Sequence, residues 1–353
     1  MAKYRYDTVV DTGFTPPKVT TTPVVATPEP GPTPPPPPAG TVYRTKGRRL
    51  YDPNGEPVRL VGAEQTLWRA SWLDPAFIGE IGESGATGCR FLPYYTRTPS
   101  TGDQPCTIDM IEAGLQWAVK SRMFCDLAVD GGQVPDVWYR PEVMALIRKY
   151  EPWIGLHLVG ESGEPSDVAW ARSSIASVKR MREQGVTCPL YVMGRTSGRN
   201  LPSILKAGRQ IIDADPEHNI IFGWQAYWGS DGHYQREYGM SLEQAMRAAA
   251  NAPFMVQVGL INRSDPQDGS PQTTPYLDLM RWAKELDLSW FWWDWRMGID
   301  NLTTDGQYGH WATWNDDDDQ GATRAQAIAV SSPHSIARSA ARTPYQLAQK
   351  APR

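Results

Sequence analysis

The 353-residue sequence predicts an α/β protein, a (β/α)8 TIM barrel preceded by an extended amino-terminal arm and a polyproline linker. Two observations predict the barrel. Eight short runs rich in Val, Ile, Leu and aromatic residues alternate with eight longer stretches of helical periodicity, which is the repeat of a closed parallel barrel. No glycine-rich phosphate loop follows the first run, which disfavours the alternative of a doubly wound open sheet.

The chain begins with two segments that cannot form a core. Residues 1–15 are the predicted anchoring arm, whose YRYDTVV segment could add a strand to another protein's sheet edge. A frayed tail without function is the alternative. Residues 16–40 form a proline-rich linker ending in PTPPPPPAG, a composition that favours the extended polyproline helix. The arm and linker therefore predict that the barrel, residues 41–353, is displayed on a larger assembly.

The barrel segment itself opens with a hairpin signal, because Pro53-Asn54-Gly55 separates two alternating runs. Hydrophobic periodicity then sets the remaining elements. Strands are predicted at 58–62, 88–94, 124–130, 154–160, 189–194, 220–227, 254–259 and 289–295. Helices are predicted at 74–84, 108–122, 141–151, 167–185, 201–214, 241–251, 274–287 and 321–331.

Composition narrows the classes of partner. A net charge of −4 with charges mixed along the chain predicts no nucleic acid partner. The sequence has no 18-residue apolar stretch and no apolar run after its basic start, so we expect neither a membrane span nor a Sec signal. We expect cytoplasmic synthesis and a place on a virion or an extracellular surface. The 15 Trp and 15 Tyr against 7 Phe supply rings with a polar edge, which suit sugars.

Neither a metal nor a cofactor is expected. The acidic run at 316–319 could hold calcium through oxygen ligands, but it matches no EF-hand spacing and is more typical of a solvated loop. Four cysteines are too few for a disulfide scaffold. Cys89 and Cys125 fall on adjacent predicted strands, so a bridge between them stays open.

In a (β/α)8 barrel the chemistry lies at the carboxyl ends of the strands. Those ends carry the phrases GATGCRFLPY, IGLHLVGESG, DPEHNIIFGWQAYWGS, APFMVQVGLINRS and LSWFWWDWRMG. In this order they resemble glycoside hydrolase family 5, the family of cellulases and mannanases. The resemblance runs over nearly the whole barrel and implies a polysaccharide or cell-surface glycan as the partner.

The resemblance implies roles for individual residues. Glu161 takes the position of the acid/base glutamate. Arg90, Tyr227 and Trp293 match the arginine, tyrosine and sugar-platform tryptophan of the family. Gln225 stands in place of the sixth-strand histidine. These residues, with Trp228 as a further ring near the groove, are the expected substrate-binding set.

Three other positions depart from the family pattern. Gly160 replaces the asparagine before the acid/base, Val129 replaces a histidine, and Leu260 occupies the nucleophile position. A retaining glycosidase needs two carboxyl groups about 5 to 5.5 Å apart. Leucine has no lone pair with which to attack a sugar. The sequence therefore predicts a degenerate, non-catalytic barrel, a carbohydrate-binding pseudoenzyme or decoration protein on a phage capsid or tail.

Two alternatives stay open. The first is an active β-glycan endo-hydrolase of cellulase or mannanase type, in which Glu161 works with a relocated second carboxylate. Glu64, Asp130 and Glu164 are the candidates for that carboxylate, while Asp294 is a poorer one because it should face away from Trp293. A shifted alignment would bring in Asp265 or Asp268. The second alternative is a purely structural barrel.

Overall fold

The computed structural model describes residues 42–67, 74–96, 104–161, 163–226, 231–261, 274–296, 301–313 and 321–348. The predicted arm at 1–15 and the linker at 16–40 lie outside these residues. So do Tyr227, Trp228 and the acidic run at 316–319.

A small antiparallel sheet precedes the barrel. It consists of β1 (Arg44–Lys46), β2 (Arg49–Tyr51) and β3 (Pro57–Val58), and the predicted Pro-Asn-Gly turn connects β2 to β3. Asp52 shapes this turn, because its Oδ1 accepts hydrogen bonds from the backbone N–H groups of Asn54 and Glu56. Apolar residues of the sheet pack with side chains from the amino-terminal parts of the barrel strands and near them: Leu50, Val58, Leu60, Phe124, Tyr191, Ile221, Met255 and Phe291. The amino-terminal end of the barrel is therefore closed.

Eight parallel strands form a closed barrel, which confirms the predicted fold class. In chain order they are β4 (Val61–Leu67), β5 (Gly88–Pro93), β6 (Phe124–Leu127), β7 (Ile154–Val159), β8 (Leu190–Met193), β9 (Ile220–Gln225), β10 (Val256–Ile261) and β11 (Trp290–Trp292). Each pairs with its neighbours in sequence, and β11 pairs with β4 to close the ring.

Helices surround the barrel. They are α1 (Phe77–Glu83), α2 (Ile108–Lys120), α3 (Pro141–Tyr150), α4 (Asp167–Arg182), α5 (Leu201–Ala214), α6 (Asp231–Tyr238), α7 (Leu242–Asn251), α8 (Tyr276–Glu285), α9 (Gly321–Gln326), α10 (Ile336–Ser339) and α11 (Pro344–Ala348). Several begin at residues that accept a hydrogen bond from an otherwise unpaired N–H. Thr107, Ser166 and Asn200 cap α2, α4 and α5, and Ser241 forms a capping box at α7. Among the described residues, no helix is long and apolar enough to cross a membrane.

Strand bounds differ from the prediction where turn geometry intervenes. The first barrel strand lies at 61–67 rather than 58–62, because Val58 belongs to β3 and pairs back onto β2. The third barrel strand ends at Leu127, since Asp130 and Gly131 adopt positive φ values of 51° and 66° in the segment that follows. Sequence periodicity does not reveal that turn, and it matters for the site.

Candidate active site

Three charged side chains form a layer inside the barrel on consecutive strands. Glu64 of β4, Arg90 of β5 and Asp126 of β6 are register partners. The Arg90 Nε donates to Asp126 Oδ2 at 2.5 Å, and its Nη1 lies 3.7 Å from Glu64 Oε2. None is more than 2% exposed. Buried charges are costly unless they are paired, and such clusters inside a barrel mark functional sites. We call these residues the charged layer.

His157 of β7 extends the charged layer. Its Nδ1 lies 3.3 Å from Asp126 Oδ2, and its ring is parallel to that of Tyr191 with the centroids 6.0 Å apart. Burial, followed by the charge of Arg90, lowers the pKa of His157, which favours the neutral imidazole. Burial alone would raise the pKa of Asp126, but Arg90 and His157 lower it below its ordinary value. Asp126 is therefore the ionised partner of Arg90.

Glu161 lies just after β7, at the carboxyl-terminal mouth of the barrel. Solvent reaches its side chain, and the Gln225 Nε2 at the end of β9 donates to its Oε1 at 2.9 Å. Although the residue is exposed, protein surrounds the carboxyl group closely, and this desolvation raises its pKa above the ordinary value. The hydrogen bond from Gln225 and the charges of Arg199 and Arg90 oppose the rise. An accessible carboxyl group with a raised pKa is suited to general acid catalysis.

Glu64 is electrostatically linked to Glu161. Burial raises the pKa of Glu64 well above its ordinary value, Arg90 opposes the rise, and the charges of Asp294, Asp126 and Glu161 add to it. The Glu64 side chain is 0% exposed, and neither carboxyl oxygen has a hydrogen-bond partner in the part of the chain that the structure describes. The charge of Glu161 therefore contributes to the raised pKa of Glu64.

β10 carries no carboxylate, and its position facing Arg90 is a glycine. Gly259 pairs in register with Gln225, and a Cβ atom at Gly259 would lie 3.5 Å from Arg90 Nη1 and 3.7 Å from Nη2. The resemblance to glycoside hydrolase family 5 puts the nucleophile position at Leu260. The residue of β10 directed at the arginine is Gly259, one position earlier, where a Cβ atom would make ordinary van der Waals contact with the Arg90 guanidinium.

The other proposed carboxylates have different surroundings. Asp130 is buried, and its oxygens accept hydrogen bonds from the backbone N–H of Tyr95 and from the backbone N–H and hydroxyl of Thr96, which fixes two loops together. Glu164 is half-buried on the loop after β7. Asp294 is fully buried and close enough to raise the pKa of Glu64, so it does not face away from the site as expected.

The remaining predicted site residues are only partly brought together. Trp293 follows β11 at the mouth and is half-buried, which leaves ring surface for a sugar. Arg90 lies in the charged layer below Glu161 and Gln225. Tyr227 and Trp228 are outside the described residues. The sequence reading missed Asp126, although an acidic residue in the apolar run FCDL is a signal of a paired buried charge.

Position 160 requires a glycine because another backbone segment lies against it. A Cβ atom there would lie 1.9 Å from the Gly131 carbonyl oxygen, and the Gly160 N–H donates to Gly132 O at 3.1 Å. The segment 129–132 therefore occupies the space that the side chain of an asparagine would need. Within the described ranges, no three His, Cys, Asp or Glu side chains form a metal site.

Known proteins share this architecture. No family model matches the sequence. A mannan endo-1,4-β-mannosidase of Salipaludibacillus agaradhaerens is 24% identical over 272 residues, covering 71% of this chain and 80% of that protein. The mannanase catalytic domain of Streptomyces sp. SirexAA-E superposes with a TM-score of 0.69 at 16% identity, over 87% of this chain and 95% of that one. The β-mannanase of Streptomyces thermolilacinus with mannohexaose gives 0.69 at 17% identity, over 87% and 98%.

A cellulase of glycoside hydrolase family 5 from an Icelandic hot spring isolate superposes less closely, with a TM-score of 0.57 at 16% identity, over 82% of this chain and 95% of that one. The resemblance to glycoside hydrolase family 5 is confirmed at the level of the fold. The prediction of a non-catalytic decoration protein on a virion is wrong, because the matched relatives are glycan hydrolases by name. That prediction rested on the lack of a carboxylate on the seventh barrel strand, and the alternative of an active endo-hydrolase with a relocated second carboxylate agrees better with these relatives.

Proposed function

We propose that the protein is an endo-acting β-glycan hydrolase of the mannanase type, in which Glu161 is the general acid. The observation that carries the proposal is the state of Glu161, an accessible carboxyl group at the barrel mouth, fixed by Gln225 at 2.9 Å and with a raised pKa. Such a group protonates the glycosidic oxygen as the bond to the anomeric carbon breaks.

The surroundings of Glu161 suit a sugar chain. Trp293 offers a half-buried ring at the mouth, and a pyranose stacks on such a face while its hydroxyl groups stay hydrated. Beneath the mouth, Asp126 of the charged layer has a lowered pKa and pairs with Arg90, so an ionised carboxylate lies inside the barrel. These features support hydrolysis rather than passive binding.

The choice of mannan over cellulose rests on the relatives. The sequence relative is named as a mannan endo-1,4-β-mannosidase, and the mannanase structures superpose with TM-scores of 0.69 against 0.57 for the cellulase. We therefore take β-1,4-mannan or a mannan-containing glycan as the substrate, with cellulose as the second candidate.

The test is product analysis on β-1,4-mannan, glucomannan, cellulose and xylan, with the full chain, Glu161→Gln and Glu164→Gln. We expect mannan oligosaccharides of several lengths from an early stage, which is the pattern of endo cleavage. Glu161→Gln should reduce kcat/KM about 100-fold or more, the usual contribution of a general acid. Glu164→Gln is the matched control and should keep activity. No release from any of the four glycans, or full activity in Glu161→Gln, would refute the proposal.

A further inference from the structure

We propose that the loop after β11, residues 301–312, holds a second binding place for the substrate glycan, in which the rings of Trp311 and Tyr308 contact sugar residues beyond those in the barrel mouth. We call these residues the distal loop. The identity of the glycan, a β-1,4-linked mannan chain, rests on the proposed function. The distal loop would supply part of the affinity for long chains and take no part in bond cleavage.

The distal loop begins beside the mouth of the barrel. Its Leu302 N–H donates to Asp294 O at 3.0 Å, and its Thr303 N–H donates to Trp295 O at 3.1 Å. Both acceptors belong to the segment that directly follows Trp293. The backbone of the distal loop is therefore joined to the segment that carries the expected sugar-platform ring.

The order of strands gives the direction in which a glycan would run. Around the closed barrel, β11 is four strands away from β7 on either side, so these two strands lie opposite each other. β7 leads into Glu161, whereas β11 leads into Trp293 and then the distal loop. A sugar chain that extends from Glu161 across the mouth and over Trp293 therefore continues toward the distal loop.

Three aromatic rings of increasing exposure follow this direction. Trp295 is fully buried, Trp311 is half-buried and Tyr308 is 39% exposed. The ring centroids of Trp295 and Trp311 are 6.3 Å apart, those of Trp311 and Tyr308 are 5.3 Å apart, and both pairs meet edge to face. One buried ring thus supports two rings that reach the surface. An accessible aromatic face with a polar edge is the surface on which a pyranose stacks.

Hydrogen bonds and packing hold the rings in place before any ligand binds. Trp295 Nε1 donates to Gly306 O at 2.7 Å, and the Tyr308 N–H donates to Glu80 Oε2 at 2.9 Å. A Cβ atom at Gly306 would lie 2.3 Å from the Phe77 ring, so the loop packs directly on the first residue of α1. A ring that is already fixed loses little conformational entropy on binding, which favours affinity.

Polar side chains next to the rings suit the hydroxyl groups of a sugar. His310 Nδ1 lies 2.8 Å from Asp305 Oδ2, and both side chains are exposed, as is that of Gln307. Imidazole, carboxylate and amide groups donate or accept hydrogen bonds in the plane of the group. Rings flanked by such groups match a neutral pyranose chain better than they match an apolar partner.

The exposure of Tyr308 distinguishes it from the other large apolar side chains at the surface. Across the described ranges, the remaining exposed ones are Val168, Leu277 and Leu347, which lie on helices α4, α8 and α11. Isolated aliphatic side chains on helices are ordinary surface features. Tyr308 is aromatic, lies on a loop joined to the mouth, and has polar neighbours, which together indicate a binding role.

The test is calorimetric titration of the full chain carrying Glu161→Gln, which should bind mannan oligosaccharides without cleaving them. Adding Tyr308→Ala should weaken the binding of mannohexaose about fivefold to tenfold, and that of mannotriose, which fills the mouth first, by less than about twofold. Tyr308→Phe retains the ring and should restore most of the affinity. Leu277→Ala removes an equally exposed apolar side chain from α8 and is the matched control. Melting temperatures of all variants exclude a loss caused by unfolding.

Kinetics supply a second measurement in the chain that keeps Glu161. A ring that binds the substrate and the transition state equally contributes to KM and not to kcat. We therefore expect Tyr308→Ala to raise KM on mannan about fivefold to tenfold with kcat unchanged. An equal loss in kcat would contradict a place for Tyr308 outside the reaction centre.

The outcomes separate this inference from the proposed function. If the wild type cleaves mannan but Tyr308→Ala leaves mannohexaose affinity unchanged, or weakens mannotriose equally, the distal loop is not a glycan site and the hydrolase proposal stands. A loss of the same size in Leu277→Ala would also overturn the inference. If no glycan is cleaved but mannohexaose binds and depends on Tyr308, the hydrolase proposal fails and the distal loop remains a binding site. If mannohexaose neither binds nor is cleaved, both proposals fail.

Discussion

The contact between Gly160 and the segment 129–132 leads to a prediction that can be worked out in detail. Replacement of Gly160 by alanine places a Cβ atom 1.9 Å from Gly131 O, 3.0 Å from its carbonyl carbon and 3.1 Å from the Gly132 carbonyl carbon. All three neighbours are backbone atoms, so no side chain can turn away. An ordinary contact needs at least 3.4 Å, so the segment or the end of β7 must move by about 1.5 Å (3.4 minus 1.9).

That movement breaks identifiable hydrogen bonds. Gly160 N–H donates to Gly132 O at 3.1 Å, and Gly131 N–H donates to Ala128 O at 2.9 Å. Each such bond contributes about 1 kcal/mol, and overpacking adds about 1 to 3 kcal/mol. We therefore expect Gly160→Ala to lower the free energy of unfolding by about 4 kcal/mol. At roughly 2 to 4 °C per kcal/mol, the melting temperature should fall by roughly 8 to 16 °C.

The assay is thermal unfolding followed by circular dichroism, with Gly163→Ala as the matched control. A Cβ atom at Gly163 has nothing within 4 Å, so that variant should change the free energy by no more than about 0.5 kcal/mol. Gly160→Asn, which restores the family residue, should be at least as destabilised as Gly160→Ala. A Gly160→Ala protein as stable as the control would show that the segment 129–132 does not pack against the end of β7.

Three further predictions follow from single contacts. Arg182→Met should lower the unfolding free energy by about 3 to 5 kcal/mol at pH 7, because it leaves buried Asp215 unpaired. Burial would raise the pKa of Asp215, but the hydrogen bonds and charge of Arg182 bring it below the ordinary value. This ion pair therefore stabilises the fold above pH ~4, and its effect in urea titrations should fade as the pH drops further. All four cysteine thiols are buried, and burial raises the pKa of Cys106 to about 12, so Ellman's reagent should label four thiols after unfolding and fewer than one before. Trp293→Ala should raise KM for mannohexaose about tenfold with a smaller change in kcat, and unchanged KM would exclude the ring as a platform.

The fold could be predicted because its signals are local. Short apolar runs, separated by amphipathic stretches with capping residues such as Thr107 and Ser241, indicate alternating strands and helices. The positions of Glu161 and Gln225 at the barrel mouth could also be predicted, since both residues lie at strand ends. In the structure their side chains are joined by a hydrogen bond of 2.9 Å. These features depend on short stretches of sequence and on the rule that places active sites at the carboxyl ends of barrel strands.

The charged layer could not be predicted in the same way. Gly259 faces Arg90, but its neighbour would do so if the strand were shifted by one residue, because successive side chains of a strand point to opposite faces. Sequence periodicity does not fix the register that closely. The ion pair between Glu64 of β4 and Arg90 of β5 joins residues that are far apart in the sequence, so no local pattern predicts it. The turn at Asp130 is set by backbone contacts with Gly160, which no periodicity encodes. These contacts are long-range, so the sequence pattern alone does not predict which side chains surround Arg90.

The role of Glu161 can be measured through the leaving group. Wild type and Glu161→Gln are compared on mannohexaose and on an aryl β-mannobioside with an activated phenol, which departs without protonation. We predict a loss in kcat/KM of about 100-fold or more on mannohexaose and a much smaller loss on the activated substrate. Equal losses on both substrates, or no loss on mannohexaose, would contradict the assignment of Glu161 as the general acid.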